Sequence, residues 1–119
     1  MFQAVLKEVV ERADGGVASL VMDTDGITLD SYSNPDAKYD ILTVGIELSV
    51  VIKGVTQAAS MLEAGDAREV TIVADDLTTL VRLITGNYFL ALSLTPGANI
   101  GKARYLLRTH APQLVEELE

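Results

Sequence analysis

Cysteine is absent from this 119-residue chain, and with it go disulfides, thiolate zinc sites and thiol catalysis. Tryptophan is absent as well, and only two Phe and four Tyr occur, so a core must be assembled from Val, Leu, Ile and Ala. The single histidine, His110, is too little for a histidine metal site in a chain without thiolates. Cations are scarce: nine Lys and Arg stand against seventeen Asp and Glu, a net charge of −8. That balance argues against a nucleic-acid binder, which needs clustered basic side chains. The acids are spread along the chain, so they read mainly as solubility.

Catalytic motifs are missing too. No Gly-x-x-x-x-Gly-Lys phosphate loop, Gly-x-Gly-x-x-Gly turn or Gly-x-Ser-x-Gly elbow occurs. The residues describe no enzyme active site, and no cofactor or metal is expected. The N-terminal segment lacks the basic start and long apolar run of a signal peptide. The longest apolar region, Ile41 to Met61, is interrupted by Glu47, Ser49, Lys53, Thr56 and Gln57. A cytoplasmic location without membrane insertion is the expectation.

What is present is strong periodicity. Phe2, Val5, Leu6, Val9 and Val10 recur at helical spacing until Asp14-Gly15-Gly16 stops them. Val17 to Met22 reads as a buried strand, Asp25-Gly26 as a primed hairpin turn, and Ile27 to Tyr32 as the return strand. A long helix is expected from Ala37 or Asp40 to Ala64, with Ile41, Val44, Leu48, Val51, Ile52, Val55, Ala59 and Leu62 forming one apolar stripe. Leu42, Ile46 and Val50 form a second stripe, roughly half a turn away by the 3.6-residue period. Glu69–Ala74, Leu77–Thr85 and Tyr88–Leu94 are strand-length segments separated by two-residue turns, an antiparallel meander. Thr95-Pro96-Gly97 then leads to Asn99, placed as the N-cap of a last helix from Ile100 through Leu107. Gly101 in its first turn implies that something packs close to the backbone there. Pro112 predicts a kink or restart, with Thr109 capping a second piece. The whole predicts one domain, residues 1–119, of the α/β class (α+β type): a five-stranded antiparallel sheet flanked by helices.

Few residues invite a chemical role. Asp23-x-Asp25-Gly26 lacks the remaining ligands of a calcium loop, with Val21 and Tyr32 where acids belong, and Asp75-Asp76 is a turn pair. His110 falls on the apolar side of the last helix. Arg104 and Arg108, one turn apart, read first as a solvated edge with nearby carboxylates as partners; the alternative is a contact that fixes the helix against the turn, or a partner. Arg82 alternates with Val81 and Leu83, which points it to an exposed strand face. The second stripe of the long helix needs a partner, either two-sided burial within the domain or, favoured here, a subunit interface.

The Asp25-Gly26-Ile27-Thr28-Leu29 hairpin, the long apolar helix, the meander and Asn99-x-Gly101-x-x-Arg104 together resemble the roadblock/dynein light-chain family along essentially the whole chain. The resemblance implies a roadblock/profilin-like fold and a homodimer that pairs third-strand edges and long helices. Carried onto this chain, the interface residues are Leu42, Ile46, Val50, Lys53, Glu69, Thr71 and Val73, with Asp25, Gly26, Asn99, Gly101 and Arg104 as structural motif. Members of the family are non-enzymatic partners of Ras-like GTPases, GTPase-activating subunits in bacteria, or scaffold and motor light chains. The implied function is a dimeric module that binds a Ras-like small GTPase; the alternatives are a structural dimer in a larger complex and, more weakly, a small-molecule-sensing domain. The family's activators as a rule need no arginine finger, so Arg82, Arg104 and Arg108 are not assigned that role.

Overall fold

The run Val17–Met22 carries no polar alternation because both of its faces are covered. In the computed structural model, which describes residues 2–118, it is the middle of strand β1 (Gly16–Asp23), buried over six consecutive residues. The other elements are α1 (Gln3–Arg12), β2 (Thr28–Ser33), α2 (Ile41–Met61), β3 (Glu69–Val73), β4 (Thr78–Thr85), β5 (Tyr88–Leu94) and α3 (Ile100–Leu118). The strands form one sheet in the order β2-β1-β5-β4-β3, every pair antiparallel. The two most apolar strands, β1 and β5, thus lie inside it.

Strand alternation sends each run to two cores. On one face Val21, Leu80, Leu90, Leu92 and Leu94 meet Leu6 and Val9 of α1 and Leu106, Leu107 and Leu114 of α3. On the other, Leu20, Met22, Val81, Phe89 and Ala91 meet Ile41, Leu48 and Ile52 of α2. Two helices therefore cover one face and a single helix covers the other. Buried polar groups are paired: the Ser19 hydroxyl donates to the Leu6 carbonyl at 2.8 Å, and the Thr79 and Ser93 hydroxyls lie 3.1 Å apart across strands.

The order of elements and the five-stranded sheet agree with the sequence reading, and several details do not. Only Gly26 of the hairpin has positive φ, 91°, so the turn is no primed two-residue turn. Asp23 shapes it instead, its carboxylate accepting from the Asp25 and Ile27 N–H groups at 2.9 Å each. The long helix ends at Met61 rather than Ala64. Val51, expected inward, is 39 % exposed, while Gly45 and Ser49 are buried. The last helix runs unbroken through Pro112. Buried Leu106, Leu107, Ala111 and Leu114 seat it on the sheet on both sides of the proline. Thr109 caps nothing; its hydroxyl donates back to the carbonyls of Tyr105 and Leu106.

Close approach occurs at three glycines other than Gly101: Gly15, Gly16 and Gly45; a Cβ at Gly15 would collide with Thr95 Oγ1. A Cβ at Gly16 would collide with the backbone of Val10, and one at Gly45 would lie 2.6 Å from Met22 Cε and 2.8 Å from Leu20 Cδ2. Nothing packs on Gly101: a Cβ there meets only Asn99 Oδ1, at 3.5 Å. The expectation of a tight contact at Gly101 is thereby corrected. Gly16→Ala should lower unfolding free energy by about 1–3 kcal/mol in urea titration, whereas Gly101→Ala should leave it unchanged or raise it. The reverse order would contradict these contacts.

Candidate interaction surface

The outer face of α2 owes its direction to the first turn. Asp40 caps it, accepting from the Leu42 N–H at 3.0 Å and from the Thr43 hydroxyl at 3.1 Å. With Ile41, Gly45, Leu48 and Ile52 turned to the sheet, Leu42, Ile46 and Val50 stand 45, 55 and 66 % exposed. By length and apolarity alone α2 would suffice to cross a membrane; its buried stripe seats it on the sheet. Lys53 closes the outer stripe, its Nζ 3.0 Å from Asp25 Oδ1 in the β1–β2 turn. That pair is exposed and contributes little.

The sheet has an open edge on the side away from β1 and β2, the strands that α2 covers. β3 pairs only with β4, Glu69 opposite Arg82 and Ile72 opposite Thr79. Among the described residues no side chain bonds the backbone of Glu69–Val73, whereas the other edge strand receives Gln3 Nε2 at the Ser31 carbonyl, 2.7 Å away. Glu69, Thr71 and Val73 share the face of Leu80, the α1/α3 side. Val70 and Ile72 face the α2 side, and sequence reasoning missed them. The signal was available in the alternation itself, since Val70 and Ile72 fall between Glu69, Thr71 and Val73.

The motif at the start of α3 is structural. Asn99 Oδ1 accepts from the Lys102 N–H at 3.0 Å, the expected cap. Arg104 donates to the Glu69 carboxylate, and that carboxylate raises the Arg104 pKa by hydrogen bond first and charge second. Arg82 Nη1 is 3.7 Å from the same carboxylate. Of the two readings of Arg104, the solvated edge with a carboxylate partner is therefore the one realised, its side chain 53 % exposed and its partner on β3 rather than in the turn before α3. Arg82, expected on an open strand face, is only partly exposed in the trough beside α3.

His110 is buried between α3 and α1. Its Nδ1 lies 2.8 Å from the Leu106 carbonyl and its Nε2 3.0 Å from Glu8 Oε2. The Thr109 hydroxyl also lies 3.3 Å from Nδ1, so the buried ring is fully partnered. The hydrogen bond from His110, then its charge, hold the Glu8 carboxyl below its ordinary 4.5; Arg12 adds to this and desolvation opposes it. Among the described residues no group of three His, Cys, Asp or Glu side chains could hold a metal ion. Asp23 and Asp25 serve their turn.

No protein-family model matches the chain, nor does any curated protein. Solved structures do. MglC from Myxococcus xanthus is 33 % identical over 98 % of this chain and 98 % of its own, with a TM-score of 0.71. An MglB structure with a tetrameric arrangement reaches a TM-score of 0.86 at 18 % identity, over 96 % of this chain and 85 % of its own. A roadblock/LC7 domain from Streptomyces avermitilis gives 0.76 at 16 % identity, over 97 % and 95 %. The last two carry the fold alone; the first carries a relationship of sequence across both whole chains.

The Glu8–His110 pair makes the stability depend on pH. Because the folded pKa of Glu8 is lowered, its contribution is present above its ordinary 4.5 and lost as pH falls through the folded value. Wild type should melt above Glu8→Gln at pH above 4.5 and converge with it in acid. A gap in Tm that ignores pH would contradict the pair.

Proposed function

The chain belongs to the roadblock/dynein light-chain (LC7) family, and from that premise we propose that it is a non-enzymatic, dimeric regulatory module for a Ras-like small GTPase. The observation that carries the dimer is the exposed stripe Leu42, Ile46 and Val50, together with an unpaired edge strand whose Ile72 and Val73 are 36 and 68 % exposed. Fully burying one such side chain is worth about 1.5–3 kcal/mol. A second copy related by a two-fold axis covers the stripe with its own, and β3 beside β3 satisfies both open edges. The family pattern of paired third strands and long helices supports this arrangement. So does the tetrameric arrangement of the MglB structure, as a property of that protein.

A GTPase partner follows from the family resemblance rather than from any site chemistry. Two α2 helices side by side give a platform wide enough for the roughly 800 Å² per partner of a standard interface. State selectivity follows if the GTPase switch segments, ordered by the γ-phosphate, make the contact. The chain has no phosphate loop and carries a net charge of −8, so it is not expected to bind or hydrolyse nucleotide alone. The alternative, a structural dimer in a larger assembly, uses the same interface and differs only in leaving nucleotide chemistry alone.

Ile46→Glu should convert the dimer to monomer in light scattering at micromolar concentration, since a buried unpaired carboxylate costs several kcal/mol. Retention of dimer mass would put the interface elsewhere. Titration with GTPases of the same organism, loaded with GDP or a GTP analogue, tests the partner. Preference for one state is expected. Equal affinity in both favours the scaffold, and no binding to any removes the GTPase reading.

A further inference from the structure

Four of the five arginines of this acidic chain line one trough. Arg68 precedes β3, Arg82 lies on β4, and Arg104 and Arg108 come from successive turns of α3. With Glu69 and Tyr105 they border a cavity of about 450 Å³. It lies between α3 and the edge strand, on the α1/α3 face and so across the sheet from the α2 platform.

The charge there is incompletely paired. Arg82 and Arg104 share Glu69. Arg68 and Arg108 have no carboxylate at ion-pair distance among the described residues; Arg108 instead rests 5.7 Å from the centroid of the Tyr105 ring. All four lysines and, among the described residues, every acidic side chain except Glu69 lie elsewhere. The trough is a single positive focus on a negative molecule, and guanidinium groups crowded together repel one another unless anions join them. Arginine rather than lysine supplies it, and the planar fork of arginine binds carboxylates in pairs of hydrogen bonds. Glu69 already demonstrates the chemistry from within the chain.

We propose that this trough docks an acidic segment of a partner protein, whose carboxylates pair with Arg68 and Arg108 and compete with Glu69 for Arg104. A small closed anion site would enclose its ligand; this trough is open to solvent along the helix. Half-exposed Arg104 and Tyr105 border it, and Arg and Tyr are the side chains that dominate interface energetics. The site shares no residue with the exposed α2 stripe and only Glu69 with the β3 edge, and Arg68, Arg82, Arg104 and Arg108 stand whether or not the GTPase reading does.

The test uses the full chain, labelled with ¹⁵N and titrated at low ionic strength with a short Asp/Glu-rich peptide, its Asn/Gln counterpart and inorganic pyrophosphate. The acidic peptide should shift the amides of Gly101, Arg104 and Tyr105 saturably, and its neutral counterpart should not. Arg68→Ala with Arg108→Ala, neither engaged in an ion pair, should weaken the peptide by about tenfold or more, with Tm unchanged. Arg12→Ala, outside the trough, should leave affinity as it was. Glu69→Gln, which removes the internal competitor, should tighten binding several-fold if it folds as wild type does. Shifts confined to other surfaces, undiminished binding in the double variant, or saturation by pyrophosphate while the peptide moves nothing would each overturn the proposal. The last outcome would mark a small-oxyanion site instead.

Discussion

A five-stranded sheet needs cover on both faces, and three helices cannot supply it evenly. Two of them, α1 and α3, close one core around Leu6, Leu106 and Leu114. The other core has only α2, which packs chiefly over β1 and β2. That leaves the β3 side of the same face, and the outer stripe of α2, without cover from the chain itself. The apolar surface this creates is the feature from which the dimeric reading follows.

Rigidity at the centre makes the asymmetry consequential. β1 and β5 are buried on both sides, and Gly45 lets α2 sit directly on Met22 and Leu20. The helix cannot roll to hide Leu42, Ile46 and Val50 without exposing Ile41, Leu48 and Ile52, which are buried almost completely. Two apolar stripes on one helix in effect demand two partners. The sheet is one of them.

Much of this was legible in the sequence because its signals are local. The Asn99 cap, the meander turns and the stripe period are written within a few residues of where they act. What was not legible depends on tertiary distance. Gly101 looked like a packing glycine, yet the close approaches are at Gly15 against Thr95, at Gly16 against Val10 of α1, and at Gly45 against Met22 and Leu20 of β1. Pro112 looked like a break, yet the leucines and Ala111 on either side anchor one continuous helix. The partners of Arg104 and His110 lie 35 and 102 residues away, beyond any spacing argument.

Hydrogen exchange of the β3 amides tests the central claim most directly. Within one chain β4 bonds only one side of Glu69–Val73; in the paired arrangement a second copy bonds the other. The outward amides should therefore be protected at high protein concentration and lose that protection on dilution, together with the outer face of α2. Outward amides that exchange freely at every concentration would contradict self-association through this edge.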